Sequence, residues 1–140
     1  MRVAIFGAIA LVVVVIWIMS RNSGSTTTGS VIPSADAPRI SPEQYTSQVQ
    51  STSHILVDVR ESSEVAQGVI PGAVHIPLGQ LQSRLRELPK DQTIVVYCRS
   101  GNRSRSAVST LKAAGYENLL DLGGVMHWQG AGYQLVALGK

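Results

Sequence analysis

Residues 93–115 read TIVVYCRSGNRSRSAVSTLKAAG, and the fold class follows from the way this stretch changes its pattern. Thr93 to Cys98 is an apolar run rich in β-branched residues, which is typical of a buried strand. A short glycine-containing loop follows, and over residues 104–114 the apolar side chains fall on one face of a helix that ends at Gly115. A buried strand joined to a helix by so short a loop indicates an α/β domain.

The rest of the globular part repeats this alternation of strands and helices. Ser41, Pro42 and Gln44 predict a capped helix start, and the segment LGQLQSRLREL predicts a further helix. Other strands are predicted at residues 54–59, around the sequence AVHI and within ENLLDLGG. Because these strands are continuously apolar, both faces of their sheet are expected to be buried. We therefore predict an α/β domain with a central parallel sheet flanked by helices over residues 39–140.

Cys98 is the chain's only cysteine, and it stands where the predicted strand ends. Parallel sheets bind ligands at the carboxyl ends of their strands. Gly101 lets the loop curl so that its amide N–H groups face the sulfur, and the following helix adds the positive end of its dipole. With Arg99 and Arg103 beside it, this environment favours a nucleophilic thiolate over the alternative, a buried structural cysteine.

The distribution of charge indicates the kind of partner. The formal net charge of +3 is too small to indicate a nucleic-acid-binding protein. Between Gln92 and Tyr116 the chain has no acidic residue, and its cations there are Arg99, Arg103, Arg105 and Lys112. The expected partner is therefore a small anion. A single cysteine excludes an intramolecular disulfide, and the three histidines lack metal-ligand spacing, so we predict no metal and no cofactor.

The amino terminus has a different composition. Residues 3–19 form an uncharged apolar run, about 26 Å long as a helix, which is close to the thickness of a bilayer core. This run is longer than the apolar region of most cleaved signal peptides, so we predict a single-pass transmembrane helix at residues 1–20. A Ser/Thr/Gly/Pro-rich flexible tether is predicted at 21–38. Arg2 and Arg21 flank both ends of the helix, and the scarcity of basic residues in the tether favours a periplasmic globular domain.

The loop sequence CRSGNRS resembles that of single-domain rhodaneses. It is preceded by LVDVRESSEVAQGVIPGAVHIPL and followed by LGGVMHWQGAG, so the resemblance covers residues 40–137. It implies an α/β sulfurtransferase that moves a sulfane sulfur from a donor such as thiosulfate to cyanide or a thiol, through a cysteine persulfide. Val69, His75 and Gln134 depart from the family pattern, and they are expected to change local geometry rather than chemistry.

The resemblance also implies roles for particular residues. Cys98 would be the catalytic cysteine. The loop that cradles the terminal sulfur would consist of Arg99, Ser100, Gly101, Asn102 and Arg103. Asp58 and Arg60 of the DVR motif would support this loop from the neighbouring strand end, and Glu64 and Trp128 match two further positions of the family pattern.

Two functions other than catalytic turnover also fit the sequence. The domain could hold a persulfide for a partner, or serve as a regulatory binding module at the membrane, without turning over small donors. A phosphatase or arsenate reductase of the cysteine-loop type is disfavoured. Its loop needs one residue more than the four that separate Cys98 from Arg103.

Overall fold

The structure, a computed structural model, describes residues 37–139 of the chain. The predicted transmembrane helix at 1–20 lies outside the described residues, as does nearly all of the tether at 21–38. The anchor, the domain boundaries and the periplasmic location therefore stay predictions. Within residues 37–139, no helix is long and apolar enough to cross a bilayer.

The described residues form an α/β fold around one parallel sheet. Its four strands are β1 (His54–Asp58), β2 (Ala73–His75), β3 (Thr93–Cys98) and β4 (Leu119–Gly124). They lie in the order β2-β1-β3-β4, and each neighbouring pair is parallel. The prediction of a central parallel sheet is confirmed. The order places β3 in the interior of the sheet, with β1 and β4 on either side of the end where Cys98 stands.

Helical segments cover both faces of this sheet, and most of them are short. They are α1 (Pro42–Gln44) with a π-helical continuation (Tyr45–Val49), α2 (Ser62–Val65), α3 (Leu78–Leu81) with a 3-10 continuation (Gln82–Glu87), α4 (Asn102–Ala113) and α5 (Val125–Gly130). The capped start of α1 is confirmed, because Ser41 and Gln44 form a reciprocal capping box.

One predicted helix differs from the structure. The leucines at 78, 81, 85 and 88 predict a single α-helix, whereas the α-helical part ends after one turn and continues as a 3-10 helix. Leu85 lies in the 3-10 segment and Leu88 directly follows it in extended backbone, and both pack in the core beneath α3 and α4. Tyr116 fixes the arrangement, because its hydroxyl donates to the carbonyl oxygens of both leucines.

The strand β3 is buried on both faces, which explains why its sequence is continuously apolar. Ile94, Val96 and Cys98 belong to the hydrophobic core beneath α3 and α4. Val95 and Tyr97 belong to the second core, beneath α1 and α5. Cys98 therefore faces α4, the helix that begins immediately after its loop.

The end of β4 supports the backbone that follows Cys98. A Cβ atom placed on Gly124 would lie 2.2 Å from the carbonyl oxygen of Arg99 and 2.6 Å from its carbonyl carbon. The φ of Gly124 is −135°, extended backbone that any residue adopts, so the restriction at this position is steric. The N–H of Met126 also donates to the Arg99 carbonyl at 3.2 Å. Strand β4 thus presses directly against the loop.

We expect Gly124→Ala to destabilise the domain by about 1–3 kcal/mol, because backbone atoms of the loop would have to move. Gly130→Ala is the matched control, since no atom lies within 4 Å of its added methyl group. It should leave stability unchanged or raise it by up to about 1 kcal/mol. Urea unfolding of the full-length variants measures both changes, and equal midpoints for the two variants would contradict this account of the packing.

Candidate active site around Cys98

Cys98 is the last residue of β3, and its side chain is buried, with 1% of the residue exposed. The chain then turns sharply at Gly101, whose φ of 108° lies in the left-handed region that favours glycine. This turn directs the N–H of Gly101 at the cysteine sulfur, with 3.0 Å between the nitrogen and Sγ. The geometry is the inward-facing amide that the loop sequence predicts.

Further donors of the loop are left without acceptors. The amides of Ser100, Asn102 and Arg103 make no hydrogen bond to any group in residues 37–139. For Asn102 and Arg103 the reason is that the first turn of a helix has no intrahelical acceptors. The same turn carries the positive end of the α4 dipole. The loop therefore combines free N–H groups with a positive field, an arrangement that suits an anion.

The acidic residue of α2 fixes one arginine of the loop. Arg103 donates to both carboxylate oxygens of Glu64, at 2.6 and 2.7 Å. These hydrogen bonds lower the pKa of Glu64 to about 2, and Glu64 in turn raises the pKa of Arg103. Much of the Arg103 charge is therefore balanced inside the protein.

Arg99 is placed differently. Its guanidinium has no hydrogen-bond or ion-pair partner among residues 37–139, and the residue is exposed. It lines a cavity of about 310 Å³ beside the loop. Arg60 and Glu64 contribute to the same polar side, and the apolar side includes Val125 and Met126. The cavity has room for a small molecule, and Arg99 brings an unpaired positive charge to it.

Asp58 and Arg60, of which Arg60 also lines this cavity, form a buried ion pair with exposures of 0% and 4%. Arg60 Nε donates to both carboxylate oxygens of Asp58, and Nη2 donates to the Gly68 carbonyl at 2.8 Å. Neither side chain hydrogen-bonds to residues 98–103. Their connection to the loop is indirect, because Arg60 Nη1 donates to the carbonyl oxygen of Glu64, whose carboxylate holds Arg103.

Sequence reasoning missed three residues that shape the loop. Gly124 and Met126 contact the Arg99 backbone, and Arg39 reaches the Gly101 carbonyl from the other side. The paired glycines of LGG are a sequence signal for close approach of two backbones, whereas nothing in the sequence around Arg39 distinguishes it from a surface arginine. Within residues 37–139, no group of three His, Cys, Asp or Glu side chains could hold a metal ion.

The parallel sheet, with a cysteine loop between its interior strand and a helix, agrees with the rhodanese-like class that the sequence predicts. The family model of the rhodanese-like domain matches residues 41–131, and the chain belongs to this family.

The relatives of the chain include named sulfurtransferases. A sulfurtransferase of Allochromatium vinosum is 44% identical over 84 residues, which cover 59% of this chain and 78% of that protein. The adenylyltransferase and sulfurtransferase uba4 of Ogataea parapolymorpha is 39% identical over 92 residues, 64% of this chain and 23% of that protein.

Solved structures support the same assignment. The rhodanese-related protein of Thermoplasma volcanium superposes with a TM-score of 0.65 at 30% identity, covering 72% of this chain and 99% of that one. The human single-domain sulfurtransferase TSTD1 gives a TM-score of 0.62 at 28% identity, covering 67% and 96%. The fold and the cysteine loop therefore place the chain among rhodanese-like sulfurtransferases.

The ion pair between Glu64 and Arg103 should make stability depend on pH. The folded pKa of Glu64 is lowered to about 2, so its contribution is complete above the unfolded value and is lost as pH falls toward 2. We expect Glu64→Gln to lower the free energy of unfolding at pH 7 by about 1–2 kcal/mol, allowing for solvent screening. Near pH 2, where folded Glu64 is about half protonated, this difference should be much smaller.

The matched control is Glu87→Gln, which breaks the more exposed pair with Arg84. It should change the unfolding midpoint less than Glu64→Gln does. Urea titrations of the full-length chain at both pH values measure these effects. A Glu64→Gln deficit that persists unchanged near pH 2 would contradict the assignment.

Proposed function

We propose that the chain transfers sulfane sulfur through a persulfide on Cys98, with a small anion such as thiosulfate as donor. The observation that carries this proposal is the Gly101 amide bonded to Sγ at 3.0 Å, within a loop whose Ser100, Asn102 and Arg103 amides have no acceptor among residues 37–139. Such a loop stabilises negative charge on the sulfur of Cys98 and on an atom attached to it. A persulfide is one sulfur atom longer than the thiolate and carries its charge on that added atom.

The proposed reaction has two displacement steps. The Cys98 thiolate attacks the outer sulfur of thiosulfate, a new S–S bond forms, and the bond to the inner sulfur breaks as sulfite leaves with its electron pair. An acceptor nucleophile then attacks the terminal sulfur of the persulfide. The bond to Sγ breaks, its electron pair returns to Cys98 as a thiolate, and the sulfur departs as thiocyanate or as the persulfide of a thiol. No external oxidant or reductant is needed.

The proposed roles of the arginines follow from their partners. Arg99 is unpaired within residues 37–139 and lines the cavity, so we assign it to the binding of the anionic donor. Arg103 is held by Glu64, and we assign it to keeping the loop in shape. We assign Arg60, which is held by Asp58, to supporting the backbone of Glu64. Ser100, Gly101 and Asn102 contribute backbone N–H groups to the cradle.

A persulfide carrier is the second candidate function. Cys98 is the only cysteine in the chain, so its sulfur cannot be discharged into an internal disulfide and must pass to an outside acceptor. An enzyme and a carrier would use the same residues. They differ in whether free thiosulfate loads Cys98, or a protein partner does. The membrane anchor, if present as predicted, would restrict either activity to the membrane surface.

Cys98→Ser should abolish persulfide formation while preserving the fold, because the two side chains differ by one atom. The test is the intact mass of the full-length chain before thiosulfate, after it, and after cyanide. The wild-type chain should gain the mass of one sulfur atom and lose it to cyanide. Sulfur transfer by Cys98→Ser would contradict the proposal, and so would the absence of any adduct with thiosulfate or polysulfide. Urea unfolding checks that the variant is folded.

Arg99→Ala should raise the KM for thiosulfate roughly tenfold, since a charge-assisted hydrogen bond contributes about 1.5–3 kcal/mol. Transfer from a preformed persulfide to a neutral thiol should change much less. Arg105→Ala is the matched control, because Arg105 is an exposed arginine of α4 that does not line the cavity. Steady-state kinetics with both substrates decide the role, and an equal loss for the anionic donor and the neutral acceptor would contradict it.

A further inference from the structure

Arg39 contacts the cysteine loop at Gly101. Its Nη2 donates to a carboxylate oxygen of Asp121 at 2.8 Å and approaches the carbonyl oxygen of Gly101 at 3.3 Å. Arg39 lies before the matched family range of 41–131 and does not line the cavity that holds Arg99. Its contact with the loop is therefore not explained by the family motifs or by donor binding.

Asp121 holds Arg39 through both backbone and side chain. Asp121 N–H donates to the Pro38 carbonyl at 3.0 Å, and Ile40 N–H donates to the Asp121 carbonyl at 2.9 Å, so the chain at Arg39 is attached to the edge of β4. The Asp121 carboxylate is buried, with 5% of the residue exposed, and its other oxygen accepts the N–H of Gly123 at 2.8 Å. The Arg39 guanidinium is therefore held by a buried carboxylate that is itself fixed by a backbone hydrogen bond.

The guanidinium in turn restricts Gly101. A Cβ atom on Gly101 would lie 2.8 and 2.9 Å from the two terminal nitrogens of Arg39, so the arginine is packed against this residue. The Gly101 carbonyl also accepts from Ser104 Oγ at 3.0 Å and from Arg105 N–H at 3.4 Å. These contacts hold one side of Gly101, while its own N–H, on the other side, bonds the sulfur of Cys98.

We propose that Arg39 is a positioning residue for sulfur transfer, which acts by holding Gly101 so that its N–H stays directed at the sulfur of Cys98. This inference rests on the proposed persulfide chemistry. The forked guanidinium is what allows one side chain to contact both Asp121 and Gly101, and a lysine ammonium has no such planar fork. The residues just before the matched family range thereby become part of the active-site machinery.

The test compares Arg39→Ala and Arg39→Lys with the wild-type full-length chain. Persulfide formation is followed by intact mass in single turnovers over a range of thiosulfate concentrations. Arg39→Ala should lower the maximal rate about tenfold with less than about a twofold change in the half-saturating concentration. Arg39→Lys should recover the urea midpoint through its charge pair with Asp121 but should keep the slow rate. Arg105→Ala, which removes a charge next to Ser104 and leaves these contacts in place, should retain the wild-type rate.

Three kinetic outcomes would overturn the inference. One is an unchanged maximal rate in Arg39→Ala. A second is recovery of rate together with stability in Arg39→Lys, which would indicate a merely structural charge. The third is a rise in the half-saturating concentration as large as that of Arg99→Ala, which would indicate direct donor binding.

A second measurement separates this inference from the proposed function. Hydrogen exchange of the Gly101 amide, observed by NMR, reports its bond to sulfur without any sulfur donor. Both Arg39 variants should lose protection at Gly101, and unchanged protection in Arg39→Ala would overturn the inference. If the wild-type chain forms no persulfide, the proposed function fails, and the Gly101 amide still decides whether Arg39 positions the loop.

Discussion

The hydrogen bond from the Gly101 amide to Cys98 Sγ requires the loop to turn within three residues, and the rest of the site depends on that turn. The turn needs a positive φ at Gly101, which residues with a Cβ atom rarely adopt. It also needs support from outside, because three residues between a strand and a helix cannot fix their own orientation. Gly124 and Met126 supply this support at the Arg99 backbone, and Glu64 supplies it at the side chain of Arg103.

The arginines near Cys98 are chemically alike and yet electrostatically different. Arg60 is buried against Asp58, and Arg103 is paired with Glu64, so their charges are balanced where they lie. Arg99 keeps its charge unpaired within the described residues and presents it to the cavity. This arrangement assigns the support of the backbone and the binding of an anion to different arginines, which a cluster of free arginines would not do. Paired arginines hold backbone in place, and the unpaired one is available to an anionic ligand.

The sulfur environment is also protected from unwanted chemistry by its position. Cys98 packs into the core beneath α4, and almost none of it is exposed. A free thiol on the surface would be open to oxidation and to disulfide exchange. The same burial leaves the sulfur dependent on N–H groups of its own loop for hydrogen bonding, since water is largely excluded.

Much of the fold could be predicted from local pattern. The alternation of continuously apolar strands with helical segments was sufficient to identify the parallel α/β class, and Ser41 with Gln44 correctly marked a capped helix start. The extent of the α-helix predicted in LGQLQSRLREL was wrong, since a leucine spacing of three or four residues suits both α and 3-10 geometry until the contact with Tyr116 selects one. That selection comes from a residue about thirty positions away.

The sequence by itself determined that a cysteine, a glycine and flanking arginines stand between a buried strand and a helix. Local pattern is enough for this, because strand burial and helix period are properties of neighbouring residues. Only the tertiary structure decided which arginine is free. Charge pairing depends on Glu64 of α2, which binds Arg103, and on Asp58 of β1, which binds Arg60. Tertiary packing likewise brought Arg39 and Asp121, distant along the chain, against Gly101. Contacts between residues so far apart leave no periodic trace in a sequence, since they are set by the order of strands in the sheet.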